Sequence, residues 1–319
     1  MKKNQYKIGK IVFWQYLAIF TLLFLDCENN YTYSQYYIGY TQVFRNEILI
    51  NPAYAASKDN FIFSGNVRQQ WTGIENAPST KSMSVYGPIP RFKIGVGLNI
   101  VNDRIGITKQ NLYNLVYAYN LNLKDSKFSF GINMGLKSIN ADFNELLLES
   151  NRDVNFNESS KRHNLPFFGL GTYFEKENYS IGLSLPYFLD NAILTRTEAV
   201  PAENKLFFFL TGAVLTKLNS GMSIKSGVLV KGMFDSNIEI DLVETLYIND
   251  AWSFGISYKS LNSIGIIAEY GYNKQLYISY SYDFYTSILF YNQSGSHEIT
   301  LTYILNRKRD KLQINPRYF

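Results

Sequence analysis

The chain has 319 residues, a formal net charge of +5 and 46% hydrophobic residues, with 26 Tyr and 23 Phe against 8 Pro, 2 His and 1 Cys. So mild a charge leaves no footprint for nucleic acid, and one Cys excludes a disulfide framework or a thiolate metal site. Mean hydropathy of −0.15 excludes a bundle of membrane helices, while a ring-rich composition suits strands, where aromatic side chains lie well on a pleated surface.

In chain order, Lys2, Lys3, Lys7 and Lys10 form a basic head, followed by the apolar run "IVFWQYLAIFTLLFL" at 11–25. Basic head and short apolar run together read as a secretory leader. The run falls short of the roughly 20 apolar residues a spanning helix needs. Thr32 and Ser34 supply small residues before Gln35, so 1–34 is read as a signal peptide cleaved near Ser34. Asp26 before Cys27 argues against a lipid anchor there. Removal of the leader subtracts four Lys from 31 basic residues and Asp26 and Glu28 from 26 acidic ones, leaving 27 − 24, or +3, and no Cys.

Residues 35–59 are read as a periplasmic N-terminal segment, after which period-2 alternation dominates. In "KFSFGINMGLK", Phe128, Phe130, Ile132, Met134 and Leu136 share one face, and Lys127, Ser129, Gly131, Asn133 and Gly135 the other. "KIGVGLNI", "WSFGISYK", "LYISYSYDF" and "HEITLTYIL" repeat the pattern. A soluble sandwich also alternates. Here, however, the segments run about ten residues, the length a tilted strand needs to cross a bilayer. The less apolar face carries Ser, Gly, Asn and Lys, as a barrel interior does, and aromatic residues gather near segment ends.

About fourteen strands are expected, at 60–70, 80–89, 93–101, 109–123, 127–139, 163–175, 179–188, 204–217, 222–232, 237–248, 251–259, 263–272, 275–284 and 296–305. Even-numbered connections are short, and the long ones, 71–79, 102–108, 140–162, 189–203 and 285–295, all fall on odd connections. Short periplasmic turns and longer outer loops sort this way in an outer-membrane barrel with both termini inside. The fold expected is therefore all-β, a transmembrane antiparallel up-and-down barrel over 60–305, with "NRKRDKLQINPRYF" (306–319) as a periplasmic tail. "WTGIENAPST" becomes the first outer loop, and Arg68 and Gln70 point into the lumen. Arg68, Lys137, Lys259 and Glu269 are expected to pair within the barrel or to line a pore.

Chemistry is sparse. His297 has Ser294, Ser296 and Glu298 nearby, but adjacent strand residues point to opposite faces, which argues against a Ser–His–acid hydrolase. No phosphate loop or calcium-loop spacing is present, so no catalytic residue, cofactor or metal is expected.

Five ordered motifs, "NPAYAAS" (51–57), "RQQWTGIENAPST" (68–80), "VNDRIG" (101–106), "ISYSYDF" (278–284) and "YNQSGSHEI" (291–299), resemble the PorP/SprF family of type IX secretion system membrane proteins of Bacteroidota. Ala56 and Asn76 stand where that family usually has Gly. The resemblance implies an outer-membrane barrel, in contact with membrane lipids, that serves secretion or gliding motility without enzymatic activity. The resemblance further implies action with secreted cargo such as adhesins and with periplasmic or motor components. Arg68, Gln70, Trp71, Pro78, Asn102 and Asp103, from two of the motifs, are the candidate partner-docking residues. Trp71 is either an interfacial girdle residue or an exposed anchor for a partner. The alternative function is a passive channel or transporter for small solutes.

Overall fold

The structure is a computed structural model that describes residues 39–141, 162–190, 206–233, 238–260, 263–285 and 293–305. The expected leader and tail, and most of the connections at 140–162, 189–203 and 285–295, lie outside the described residues.

Fourteen strands form: β1 Phe61–Gln69, β2 Ser79–Ile89, β3 Ile94–Ile105, β4 Thr108–Asn122, β5 Ser126–Ala141, β6 Arg162–Lys176, β7 Tyr179–Asp190, β8 Phe207–Lys217, β9 Met222–Met233, β10 Ile238–Ile248, β11 Trp252–Lys259, β12 Ser263–Tyr272, β13 Leu276–Tyr285 and β14 Ser296–Leu305. Each pairs with its sequence neighbours, and β1 pairs with β14 to close the barrel. All pairings are antiparallel; Phe61 lies opposite Leu305 and Gln69 opposite His297. Closure leaves no free edge, as a sheet in lipid requires. Among the described residues no helix is long and apolar enough to cross a membrane; the strands do so.

The alternation sorts the faces as the sequence implied. Outward residues such as Phe63, Leu115, Ile132, Ile256 and Ile266 are exposed, whereas Ser64, Ser84, Asn99, Ser129 and Ser281 are buried inside. The two ends differ. At the turn end, where β1 begins, Asn249–Asp250 and Asn273–Lys274 all take positive φ, as in the tight hairpin turns whose twist matches that of the strands. The opposite, loop end carries the β1–β2 connection.

One expected loop is not a loop. Composition makes 102–108 a long connection, but β3 continues to Ile105 and β4 starts at Thr108, with Ile105 opposite Thr108. Asn102, Asp103 and Arg104 suggest a loop by composition, yet they keep the alternation: Asn102 faces out and Asp103 faces in. Gly106, at φ 57, makes the tight reversal that ends the pair.

The segment expected at 35–59 as periplasmic is, from residue 39, packed inside the barrel. It forms short 3-10 turns at Val43–Arg45, Glu47–Leu49 and Pro52–Ala56. Asn51 caps the last by accepting a hydrogen bond from the Ala53 amide, with Pro52 at the first turn position. Ile48, Ala53, Tyr54, Ala55 and Ala56 are buried in one cluster with the barrel residues Tyr86, Val116, Ala118 and Tyr173.

Candidate functional site

The plug runs the height of the lumen in one direction. Near the loop end, Thr41 meets Arg68, Lys259, Asp283 and Glu298. Lower down, Asn46 donates to Ser84 Oγ, and the carbonyls of Ile48 and Ile50 accept from Asn99 and Ser184. At the turn end Asn120 donates to the Ala56 carbonyl, and Lys127 donates to the Ser57 carbonyl and pairs with Asp59. The chain then enters β1.

The upper anchor is a charge-balanced cluster. Arg68, 1% exposed, donates to Asp283 at 2.6 Å and to Glu298 at 2.9 Å. Lys259 reaches Asp283 at 3.2 Å and Thr41 Oγ1 at 2.7 Å. The Thr41 amide donates to Glu298 at 2.8 Å, and Asn66 donates to the other Glu298 oxygen at 2.8 Å. Two cations and two carboxylates thus satisfy one another, as burial of charge requires. Arg45 pairs with Glu269 and donates to Ser253 Oγ. Arg68, Lys259 and Glu269, read from sequence as paired or pore-lining, are paired; Lys137 stacks over Tyr187 at 5.7 Å.

The wall is shaped for this plug. A Cβ at Gly131 would overlap the Ala53 amide nitrogen, one at Gly95 the Ala55 carbonyl, and one at Gly227 would come within 2.7 Å of the Phe44 ring. Contact is mainly with β2–β7. On the other side a cavity remains, lined by Thr41, Phe44, Arg45, Lys225, Val243 and Thr245. Between plug and wall, the Glu47 carboxylate oxygens and Lys58 Nζ are buried without a hydrogen-bond partner, and Lys58 lies 3.8 Å from the Tyr54 ring centroid. Burial pushes the Lys58 ammonium down to about 8 and the Glu47 carboxyl up.

At the loop end the motifs come together. "RQQWTGIENAPST" and "YNQSGSHEI" meet across the β1–β14 seam: Thr72 N donates to the Gly295 carbonyl at 2.8 Å, Ser294 N to the Thr72 carbonyl at 2.6 Å, and Trp71 N to Ser296 Oγ at 3.1 Å. "VNDRIG" joins from the other side, with Gly106 N bonding the Asn76 carbonyl and Arg104 bonding the Asn76 side chain. Asn76 sits at φ 57, a left-handed position that Gly adopts freely and Asn tolerates. Tyr282 of "ISYSYDF" donates to the Ser294 carbonyl, and "NPAYAAS" is the last turn of the plug.

The six candidate docking residues therefore divide. Arg68 and Gln70 are buried and turned inward, Arg68 holding the plug. Pro78 is buried, and its carbonyl accepts from Gln70 N. Asp103 is buried and accepts from Thr80 Oγ1. Asn102 is exposed on the outer face and bonds Asn111. Trp71 is half-buried at the rim at φ 46, its ring centroid 6.3 Å from that of Tyr285. His297 accompanies Tyr280 on the outer face, bonded at 2.8 Å through Nδ1, while Glu298 points inward to Arg68; the two do not face each other. Sequence reasoning missed Thr41, Asp283 and Glu298 as one anchor. Period-2 parity put both acids inside, but nothing local linked them to residue 41.

Over residues 32–303 the sequence matches the family described as "Type IX secretion system membrane protein PorP/SprF". Comparison with curated proteins gives no match. Among solved structures, the chain is similar to the outer membrane protein Omp33 of Acinetobacter baumannii (7% identity, 78% of this chain and 100% of that one, TM-score 0.46). It is also similar to a Pseudomonas aeruginosa FadL homologue (12% identity, 79% and 92%, TM-score 0.42). A third similar structure is the KdgM porin (8% identity, 77% and 99%, TM-score 0.40).

Proposed function

Because the chain belongs to the PorP/SprF family of type IX secretion system membrane proteins, we propose that it is a non-enzymatic outer-membrane anchor of that machinery in a Bacteroidota cell. Exported after signal-peptide cleavage, it holds secreted cargo such as an adhesin at the surface. It couples that cargo to periplasmic or motor components of secretion or gliding.

The observation that carries this reading is the plug. Residues 39–60 run through the lumen from loop end to turn end and are fastened at both, and wall glycines accommodate them. A barrel closed in this way suits attachment better than solute passage. The loop-end rim, where four motifs interlock, is a rigid platform, and a pre-ordered surface loses less entropy on docking.

The test pairs two measurements on full-length protein from solubilised outer membranes. In planar bilayers the barrel stays closed, and a tagged chain recovers a large exported protein or periplasmic secretion subunits. A steady open conductance with no secretion component recovered overturns the proposal in favour of a passive channel.

A further inference from the structure

The outer wall at the loop end is not uniform around the barrel. On β11–β13 the outward residues there are apolar or aromatic: Tyr258 stands opposite Ile264, and Ile264 opposite Phe284. On β2–β6 the corresponding rows are polar. Lys81, Asn102, Asn111, Ser138 and Asn164 lie opposite one another from strand to strand. One step nearer the loops, Ser79, Arg104, Lys109, Asn140 and Arg162 do the same. The next row toward the turn end, Met83, Ile100, Tyr113, Leu136 and Pro166, is again apolar or aromatic. The two polar rows hold Lys81, Arg104, Lys109 and Arg162 and no carboxylate.

Strand length sets the level of these rows. β4, β5 and β6 have 15, 16 and 15 residues, against 8 to 10 for β11–β14. The outward residues from Tyr113 to Leu121 on β4 cover about 26 Å along the strand, most of the apolar band of a tilted barrel. Asn111 and Lys109 therefore stand at its edge, where headgroups begin. Lys81, Asn102 and Arg162 are exposed and Lys109 is half-buried. Arg104 is held by the Asn76 side chain and the Gly106 carbonyl. Arg162 is aimed by its Nε, which donates to Ser138 Oγ at 3.1 Å. Lys81, Lys109 and Arg162 meet no carboxylate among the described residues. Arg104 and Lys109 are directly opposite, and like charges so placed destabilise a sheet. An anion beside them offsets that repulsion.

We propose that the outer face of β2–β6 at the loop end binds the phosphate of a lipid headgroup in the outer leaflet. Charge selects an anion, and level selects a lipid. The cations sit directly above the last apolar row, so a headgroup bound to them lays its chains against Met83, Ile100 and Tyr113. Lys and Arg at a membrane surface draw anionic headgroups in this way. Lys109 and Arg162 are two strands apart, about 10 Å, and both long side chains reach one phosphate between them. The guanidinium adds paired donors that match phosphate oxygens. The proposal rests on the reading of the chain as an outer-membrane barrel with its loop end outside, and not on its cargo or on a closed lumen.

The experiment titrates the full-length barrel, purified in neutral detergent, with phosphorylated lipid A and reads the bound fraction by native mass spectrometry. Expected is a saturable adduct whose affinity falls about tenfold or more in the variant Lys81→Gln/Lys109→Gln/Arg162→Gln. Arg91→Gln/Lys93→Gln/Lys124→Gln, which removes the same charge at the turn end, leaves it unchanged. Both variants keep heat-modifiable migration. Dephosphorylated lipid A binds the parent as weakly as lipid A binds the loop-end variant, and inorganic phosphate at equal concentration displaces no lipid. A photoreactive amino acid at Asn164, in a chain with all its charges, gives a glycolipid adduct on intact cells. Equal binding by parent and loop-end variant, equal loss in the turn-end variant, or equal binding of dephosphorylated lipid A overturns the proposal. So does displacement by inorganic phosphate, or a protein adduct in place of the glycolipid. Binding is read on purified protein, so its failure leaves the anchor reading standing. Labelling of a tag near Asn157 only after lysis reverses the orientation and leaves the binding result standing.

Discussion

Thr41 Oγ1 donates a 2.6 Å hydrogen bond to Asp283 Oδ2, joining residues 242 positions apart. The same oxygen accepts from Arg68 and Lys259, so one hydroxyl links the plug to three strands. Removing Arg68 leaves Asp283 and Glu298 buried and short of a cation. Arg68→Met should destabilise the barrel by about 3–5 kcal/mol, and Thr41→Val by about 1–3 kcal/mol. The temperature at which the folded band converts to the unfolded band on a gel measures both. Equal, unshifted temperatures would show that the cluster does not hold the plug.

The glycines opposite the plug give a second test. Gly131→Val places a side chain where Ala53 sits, whereas a side chain at Gly65 has nothing within 4 Å. Overpacking of this kind costs about 1–3 kcal/mol or moves the neighbour. Single-channel recordings should show openings for Gly131→Val and none for Gly65→Val. A closed Gly131→Val barrel with parental thermal stability would mean that the wall is not fitted to the plug.

The direction of the plug places Gly39 near the loop end, and a Cβ there meets nothing within 4 Å. In a Cys27→Ser background, Gly39→Cys should react with an impermeant thiol reagent on intact cells as Glu75→Cys does, and unlike Lys274→Cys in a turn-end hairpin. Reaction of Gly39→Cys in step with Lys274→Cys would reverse the threading.

A tag inserted near Asn157, in the connection expected at 140–162, should be labelled on intact cells. Labelling only after lysis inverts the barrel in the membrane and would move every loop-end assignment to the periplasm.

Trp71 remains the candidate rim anchor. Gln70 is buried, so Trp71→Ala is the cleaner variant. It should lower surface retention of cargo several-fold while heat-modifiable migration persists, since a truncated interface anchor costs about 2 kcal/mol or more. Unchanged retention removes the docking role; loss of the folded band assigns Trp71 to holding the rim together with Tyr285.

Much of the barrel was legible because its rule is local. A strand in lipid must alternate, so Phe128 to Leu136 and Trp252 to Tyr258 declare their faces residue by residue. Parity alone put Arg68, Lys259 and Glu269 inside. The motif residues carried the family, and the run at 102–108 misled only because Asn and Asp resemble loop composition while keeping strand parity. What tertiary structure decided is non-local. Residues 39–60 have no period and little intrinsic helix; their three short 3-10 turns close their own backbone hydrogen bonds, and what seats the segment is contact with wall residues up to 257 positions away. The charges of Asp283 and Glu298 could have lined a pore; closure of β1 onto β14 brought both to Arg68, and the threaded plug brought Thr41 between them. Whether the lumen is open or filled depends on contacts that exist only after the sheet has closed around the segment, and no window of sequence contains both partners.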